Sequence, residues 1–349
     1  MRSVLCHPAE GVIAYQRALD LLPADAPALL RAGVLAGLAQ LRAVTGDPER
    51  TAALLTEAER APDPTADLVV DMSTARLLLL IRLSRFAELE AAAEHGARAT
   101  AAADRPDQAF AGLVTAACGL AAGGDLDGAL RMADQALTLT HGIAVLTLPC
   151  LAARAHLLAR VGRYDEALAA AGEQLALADR LDSPRFAALA QGDAGLVALA
   201  AGRSADAADL LAAALDGDAP VSRPATRLAR AEALAGAGRV DEAAAEVRRA
   251  ALEPVRGGDQ PWALVPRMSR VQGLVALARG DRATARRRFG EAIAASGRLT
   301  PPTPGDDLMA ALVDLGRPPV VGLVEPEREL ERLRAELAAV EEARCPASL

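Results

Sequence analysis

Residues 151–181, LAARAHLLARVGRYDEALAAAGEQLALADRL, contain the pattern that decides the fold. Two stretches rich in Ala, Leu, Arg and Glu, residues 151–161 and 165–181, favour helices because these residues have high helix propensity. Between them lies Gly162, a residue that readily adopts the left-handed conformation that ends a helix. Asp165 follows where a carboxylate favours the start of the next helix. The stretch therefore predicts a helix-turn-helix unit.

The same unit recurs along the whole chain, with a small residue at each turn. The turn positions follow one another at steps of 38, 40, 38, 40, 36 and 42 residues. They are Gly46, Ser84, Gly124, Gly162, Gly202, Gly238 and Gly280. A fixed period of this size indicates stacked helix pairs rather than one closed globule. We predict an all-α solenoid of antiparallel helix pairs, with about eight repeats and C-terminal capping helices.

Three further columns of mostly small residues keep the same phase, as close helix packing requires. The position seven before the turn holds Ala39, Leu77, Ala117, Ala155, Gly195, Ala231 and Gly273. The position five after it holds Thr51, Leu89, Ala129, Ala167, Ala207, Ala243 and Ala285. The position twelve after it holds Ala58, Gly96, Ala136, Gln174, Ala214, Ala250 and Ala292. The position nine after the turn is apolar throughout, from Leu55 to Phe289, which predicts that it faces the core.

Composition excludes several classes of function. All 38 residues in the Lys+Arg count are Arg, so neither a Walker A phosphate loop nor Schiff-base chemistry can be built. None of the GxSxG, HExxH or glycine-rich dinucleotide motifs is present. We therefore expect no enzyme activity, no cofactor and no catalytic residue.

The cysteines and the hydrophobic runs predict a soluble, cytoplasmic protein without a membrane association. Four cysteines are spread through the chain without a CxxC pair, which is typical of unpaired thiols in a reducing compartment. Residues 1–14 lack the apolar region of a secretory signal. Uninterrupted apolar runs such as residues 77–81 are far shorter than the roughly 20 residues that span a bilayer.

The two ends of the chain depart from the repeat. Residues 9–23 match a second helix whose turn falls at Cys6, so its first helix would precede Met1, and we expect a piece of a larger chain or assembly. We place the repeat region at residues 1–297. Residues 298–349 hold a Pro-rich break, a short helix over 308–315 and a charged helix over 326–343. That last helix is interpreted as a cap, with a dimerisation helix as the alternative.

On these spacings the chain resembles the tetratricopeptide repeat family over almost its whole length. The match rests on the small–turn–small pattern, for example Ala155, Gly162 and Ala167, with Gln174 as a departure. The long period and the scarcity of aromatics resemble the sensor solenoids of large bacterial MalT-like transcription regulators. This resemblance implies a right-handed superhelix, a regulatory role, and a concave face lined by the first helix of each pair.

The resemblance also implies where a ligand would bind, at positions 13, 10, 6 and 3 before each turn. These positions are mostly small or apolar, which suits an amphipathic helix or an apolar small molecule oriented by a few polar groups. The candidate binding residues are Gln40, Asp71, Thr74, Cys118, His156, Leu196, Leu199, Glu232, Arg267, Arg270 and Leu274. The alternative is that a tightly wound superhelix buries this face against itself. For His156, near His141 and Cys150, the spacing matches no known metal-ligand pattern, so we predict no metal site.

Charge is unevenly distributed. Residues 219–300 contain 15 Arg and 8 Asp or Glu, a formal +7, which leaves −15 for the rest of a chain whose total is −8. A basic patch is predicted in one repeat, formed by Arg279, Arg282, Arg286, Arg287 and Arg288. A solvated helix face, an acidic protein partner and nucleic acid are the alternatives, but no aromatic residues are interleaved for base stacking.

Two functions of different classes follow. The first is a non-catalytic module, the sensor or interaction part of a bacterial regulatory system, which binds a peptide, a protein segment or a small effector in its concave groove. The second is a scaffold that assembles with copies of itself, or docks another chain, through its open N-terminal face and its basic C-terminal third. Neither function involves nucleic acid or a membrane.

Overall fold

A computed structural model describes residues 8–102, 106–217, 223–253, 261–298 and 326–342, and within these ranges the regular structure is helical. Apart from a single 3₁₀ turn at Phe86–Glu88, all of it is α-helix. The helices are α1 (Pro8–Leu21), α2 (Ala28–Thr45), α3 (Pro48–Ala58), α4 (Ala66–Arg82), α5 (Leu89–Ala102), α6 (Pro106–Ala122), α7 (Leu126–Leu139), α8 (Ala144–Arg160), α9 (Tyr164–Arg180), α10 (Pro184–Ala200), α11 (Ser204–Asp216), α12 (Arg223–Gly236), α13 (Val240–Leu252), α14 (Pro261–Ala278), α15 (Arg282–Arg298) and α16 (Pro326–Glu342). The predicted all-α helical-repeat fold is confirmed.

Each predicted turn has the backbone conformation that the sequence requires. The six glycines in the series have φ between 76° and 91°, and Ser84 has a φ of 54°. At Gly46 the amide N–H bonds to the carbonyl of Arg42, which closes the last turn of α2. The left-handed residue thus ends one helix and lets the next begin two residues later, so the two helices pack as an antiparallel pair. After Ser84 the 3₁₀ turn Phe86–Glu88 comes first and α5 begins at Leu89.

The residue after the turn begins the second helix in one of two ways. Where it is Asp, its side chain accepts a hydrogen bond from the backbone N–H three residues on, as in Asp47–Arg50 (3.0 Å) and Asp125–Gly128 (2.8 Å). Where it is Arg85, Arg163 or Arg239, it pairs instead with the Glu three residues on, as in Arg163–Glu166 (2.6 Å). The expected capping role of Asp165 is therefore corrected. Asp165 lies in the first turn of α9, and Arg163 occupies the N-cap position without a side-chain capping bond.

The predicted packing columns form the core of the repeats. All residues at positions seven before, and five, nine and twelve after, the turn are buried. Two glycines in the column seven before the turn lie at close approaches between helices. A Cβ on Gly195 would lie 2.7 Å from Cγ of Leu211, and one on Gly273 would lie 2.6 Å from the Phe289 ring. The small residues are therefore a condition for this spacing of helices.

Gln174, the departure from the small-residue column, is explained by a buried polar pair. Its side-chain amide donates a hydrogen bond to Oδ2 of Asp193 at 2.8 Å, which joins α9 to α10. Both side chains are buried. The pair shows that a large polar residue is accepted in the column where the neighbouring helix supplies a partner.

The chain divides into two compact units, with the boundary near the end of α8 between Leu157 and Leu158. In unit 1, α2 packs against α1, α3 and α4, with a core built from residues such as Leu35, Leu38 and Leu54. In unit 2, α12 packs against α11, α13 and α14, and its core is dominated by Ala, Leu and Val. α16 belongs to unit 2 and packs against α15.

α16 covers the apolar end of the last repeat. Leu333 and Val340 are buried in a cluster with Phe289, Ala285 and neighbouring residues, and Leu337 packs against this cluster. This contact is the one expected of a capping helix. The domain boundary at residues 297 and 298 stays a prediction, and the turn at Cys6, the Pro-rich break and the helix over 308–315 lie outside the described residues.

One helix, α2, is long and apolar enough to meet a simple test for a membrane span, with 18 residues and a mean hydropathy of 1.2. α2 carries Arg31, Gln40 and Arg42, and Arg31 pairs with Glu57 of α3 at 3.1 Å. Eight of its residues are buried against the neighbouring helices. These contacts are those of the core helix of a repeat unit.

Candidate functional site

The candidate site follows one face of the first helices, here called the inner stripe and defined as the positions 13, 10, 6 and 3 before each turn. In unit 1 this stripe is mostly closed. Gln40, Cys118 and His156 are buried, while Asp71 and Thr74 are half-buried. The side-chain hydroxyl of Thr74 donates to the carbonyl of Val70 within its own helix at 3.0 Å. The sequence therefore places these residues on one stripe, but the structure leaves few of their atoms open to a ligand.

Two of these residues have a structural role instead. The Gln40 amide donates to the backbone carbonyl of Asp71 at 3.0 Å, which ties α2 to α4 across one repeat. Cys118 lies in the core of α6 with no exposed surface. Gln40 and Cys118 are thus buried among neighbouring helices, and their contact with a ligand stays a prediction.

In unit 2 the inner stripe is more open. Leu196, Leu199 and Leu274 are half-buried, and Leu277 is 39% exposed. Leu196 and Leu199 lie on α10, and Leu274 and Leu277 lie on α14. Apolar side chains thus reach solvent at positions 6 and 3 before the turn, as a surface for an apolar partner would require.

Charged side chains on the same stripe meet between α12 and α14. Arg270 donates to Glu232 from Nη1 (2.9 Å) and Nη2 (3.0 Å), forming a two-pronged ion pair between residues one repeat apart. Arg270 is only 2% exposed. Arg267, half-buried on the same helix, adds positive charge near Glu232. The structure therefore brings together three of the predicted residues.

α16 completes this cluster with two residues that sequence reasoning missed. Arg270 donates to Glu336 from Nε (3.0 and 3.1 Å) and Nη2 (2.7 Å), and Arg332 donates to Glu232 at 2.8 Å. Nothing in the spacing of α16 predicts these bonds, because 66 residues separate Arg270 from Glu336. One feature of the sequence does point to such a partner, because an Arg on an apolar stripe needs a carboxylate when it is buried.

The cluster fixes the ionisation of its members. Burial by itself would raise the pKa of Glu232, but the charges of Arg270, Arg332 and Arg267 outweigh it and hold that pKa at about 2. The same ion pairs raise the pKa of Arg270 against the effect of burial. Glu232 and Arg270 are therefore both charged at neutral pH.

A second charged cluster in unit 2 is structural. Glu246 of α13 is buried and accepts hydrogen bonds from Arg227 (3.0 Å) and Arg230 (2.9 Å) of α12, and from Arg249 (2.7 Å). It joins the two helices of one pair. Its members lie outside the inner stripe.

The predicted basic patch is largely neutralised. Arg279 pairs with Asp241 (2.8 Å), Arg286 with Glu341 (2.9 Å) and Arg288 with Glu291 (2.8 Å). Arg287 lies 3.9 Å from the same Glu291, and Arg282 has its own polar or charged contact. The Arg residues form a helix face crossed by ion pairs, which favours the solvated-face interpretation over a phosphate-binding surface.

A metal centre would need several His, Cys, Asp or Glu side chains close together. Within the described ranges no group of three or more such residues converges. Cys150 is buried and contacts the Thr140 hydroxyl at 3.6 Å, and burial raises the pKa of its thiol to about 11. A thiol in this environment is a poor nucleophile and a poor metal ligand.

Comparisons with known proteins show the fold. No protein-family model and no curated protein matches the sequence. Among solved structures, the apo form of RapI superimposes with a TM-score of 0.63 at 12% identity, covering 97% of this chain and 98% of RapI. A Rap protein complexed with Competence and Sporulation Factor has a TM-score of 0.51 at 13% identity, covering 97% and 96% of the two chains.

A tetratricopeptide repeat protein from Parabacteroides merdae is also similar, with a TM-score of 0.51 at 14% identity over 81% of this chain and 98% of the other. The chain therefore has a tetratricopeptide-repeat-like fold, as the sequence predicted. At sequence identities of 12 to 14%, these similarities show a shared fold only. The finer resemblance to MalT-like regulators stays a prediction.

Proposed function

We propose that the protein is a non-catalytic binding module that holds a peptide or protein segment on the inner stripe of unit 2. The observation that carries this proposal is the solvent-accessible apolar surface at Leu196, Leu199 and Leu277, beside the charged pair Glu232–Arg270. Apolar contacts supply affinity, and a few fixed polar groups set the orientation of the partner.

The preformed ion pair between Glu232 and Arg270 favours an extended or helical peptide as the partner over a compact small molecule. The stripe is apolar on α10 and carries Glu232 on α12 and Arg270 on α14. The bond between Arg270 and Glu232, 38 residues apart, joins the first helices of two successive repeats. A rigid surface of this kind spares the partner part of the ordering cost of binding. The alternative ligand is a small effector, which would contact the inner stripe of a single repeat.

A cytoplasmic, regulatory setting completes the proposal. Cys118 and Cys150 are not joined in disulfides, in keeping with a reducing compartment. Support for a peptide ligand comes from the fold neighbour solved with Competence and Sporulation Factor, although that ligand belongs to the neighbour. Titratable side chains such as Glu232 and Glu246 are held in ion pairs that join helices, which supports a role without catalysis.

Photo-crosslinking tests this proposal. A benzophenone amino acid replaces Leu277 on the stripe or, as the control, Leu252, which is exposed at the end of α13 and lies off the stripe. In the source cells, irradiation of the Leu277 variant is expected to give one dominant adduct that the Leu252 variant does not give. Identical adduct patterns from both positions would contradict binding at the inner stripe.

A second candidate function, self-assembly through the N-terminal helices, is favoured by a specific observation. Ile13 and Leu21 of α1 are 69% and 73% exposed, and Leu30 of α2 is also exposed. Exposed aliphatic side chains on neighbouring helices are typical of contact surfaces. Light scattering coupled to size-exclusion chromatography tests self-assembly. The double variant Ile13→Ser with Leu21→Ser should be a monomer where the wild type is an oligomer. A wild type that is itself a monomer would exclude this function.

A further inference from the structure

Arg270 is held in a way that leaves one edge of its guanidinium for a second carboxylate. The edge formed by Nη1 and Nη2 is occupied by Glu232, a bond made entirely between α12 and α14. The edge formed by Nε and Nη2 is occupied by Glu336 of α16. Because the repeat helices build the first half of this arrangement, Arg270 is oriented to receive a carboxylate from whichever helix packs beside it.

The hydrogen-bond donors of Arg270 require such a carboxylate. Glu232 accepts from Nη1 and Nη2 only, which leaves the Nε donor for a second acceptor. Arg270 is buried, and a buried donor without an acceptor is costly. Glu336 supplies this acceptor, while the net charge that α16 adds to the cluster is zero, because Arg332 offsets Glu336.

An apolar surface lies next to this carboxylate site. Phe289 and Ala292 of α15, with Leu274 of α14, form the cluster that receives α16. From α16 they contact Leu333, Leu337 and Val340. With Glu336 these residues occupy positions i, i+3, i+4 and i+7, which is one face of a helix.

α16 reaches this surface differently from the other helices. The other consecutive helices are joined by eight residues or fewer, the longest such connection being residues 253–260. Residues 299–325, a stretch of 27, separate α15 from α16. No short turn therefore fixes α16 on this surface. Its contacts with α14 and α15, the bonds of Arg270 to Glu336 and the apolar cluster around Phe289, hold it there.

We propose that the end of unit 2 is a binding surface for an acidic amphipathic helix, and that α16 occupies it in cis until a partner helix displaces it. The partner carries a carboxylate that takes the place of Glu336 on Arg270, with aliphatic residues three before it and one and four after it. Two further ion pairs, Arg332–Glu232 and Glu341–Arg286, strengthen the binding of α16, which competes with the partner helix. This inference rests on the proposed binding function and names its partner class.

A synthetic peptide of residues 326–342, labelled with fluorescein, tests the proposal against the full-length chain. In the variant Glu336→Lys a positive charge faces Arg270, so α16 is released while the receiving surface keeps its wild-type residues. We expect the peptide to bind this variant at least tenfold more tightly than it binds the wild-type chain, where α16 competes. A peptide carrying Glu336→Gln should bind the variant at least tenfold more weakly than the wild-type peptide.

The matched control is Glu331→Lys in the full chain, the same charge change at an exposed position of α16. It should bind the peptide as weakly as the wild type does. Should Glu336→Lys fail to fold, Leu333→Ser with Val340→Ser releases α16 from its apolar side and must give the same gain. Hydrogen exchange on α16 verifies release in either variant.

Equal peptide binding by the wild type and a variant whose α16 is released would overturn the proposal, as would an α16 that stays protected in both variants. α16 would then be a permanent cap. The crosslinking experiment at Leu277 tests the inner stripe independently of α16. Failure of this inference is therefore distinguishable from failure of the proposed function.

Discussion

Arg270 and Glu232 lie 38 residues apart, in the first helices of successive repeats, and form a two-pronged ion pair in a fold otherwise packed with Ala, Leu and Val. The pair places a fixed charge on a mostly apolar stripe. It also orients Arg270 toward α16. One side-chain contact therefore links the regular repeat, the candidate binding surface and the C-terminal helix.

The ion pair makes stability depend on pH. The pKa of Glu232 is about 2 in the folded chain against an ordinary value of 4.5, so its ionised form stabilises the fold above pH 4.5 and this contribution is lost as the pH falls toward 2. The difference corresponds to about 3 kcal/mol. We expect Glu232→Gln to lower the free energy of unfolding by about that amount at pH 7, and by less than half as much at pH 3.

Urea unfolding followed by circular dichroism at pH 7, 5 and 3 measures this difference. Glu331→Gln, at an exposed position of α16, is the control and should leave the free energy of unfolding unchanged at each pH. A gap between Glu232→Gln and the wild type that stays constant from pH 7 to pH 3 would contradict the account.

Two glycines within unit 2 should respond in opposite directions to the same change. Gly195→Ala would place a Cβ 2.7 Å from Cγ and 3.2 Å from the backbone nitrogen of Leu211, so we expect destabilisation by about 1–3 kcal/mol. Gly172→Ala, on α9 with open space around it, should stabilise by about 1 kcal/mol through helix propensity. Thermal unfolding of both variants decides the matter, and a stabilising Gly195→Ala would show that the helices are less closely packed.

Ser84 is the one turn in the series without glycine, and it has a φ of 54°. A left-handed conformation costs a non-glycine residue roughly 1–2 kcal/mol. Ser84→Gly should therefore stabilise unit 1 by about 1 kcal/mol, while Gly46→Ser, at a φ of 91°, should destabilise it. Denaturant unfolding measures both, and a neutral result at Ser84 would mean that its side chain offsets the strain.

The buried thiols should be unreactive. The pKa of Cys150 is raised to about 11, so little thiolate exists at pH 8, and Cys118 is fully buried. Iodoacetamide at pH 8 should modify neither residue in the native chain and both in urea, as peptide mass spectrometry can show. Native modification of Cys150 would mean that α8 opens locally.

Periodic features could be predicted from the sequence, and long-range pairings could not. Gly162 and the small-residue columns recur at a fixed spacing, so they indicate the turns and the helix contacts, which are local or separated by one repeat. Glu336 lies outside the repeat, 66 residues after Arg270, and its bond to Arg270 depends on where α16 packs. No periodicity encodes that distance.

The positions of the inner stripe follow from the repeat, but the exposure of its residues does not. Cys118 and Leu196 both lie six residues before their turns on the inner stripe, yet Cys118 is buried and Leu196 is half-buried. Exposure depends on how tightly successive helices pack, which is a tertiary property. Polar residues on the stripe could therefore be found from the sequence, whereas their division into helix-joining and solvent-facing groups required the structure.

The most direct test of the central claim is the affinity of the full chain for peptides selected on it from a random display library, compared between two variants. Leu199→Glu with Leu277→Glu places charges on the inner stripe of unit 2, and Leu252→Glu places one on an exposed position off the stripe. With folding verified by circular dichroism, the account predicts that the double variant binds at least tenfold more weakly and that Leu252→Glu binds like the wild type. Unchanged affinity in a folded double variant would contradict binding at the inner stripe.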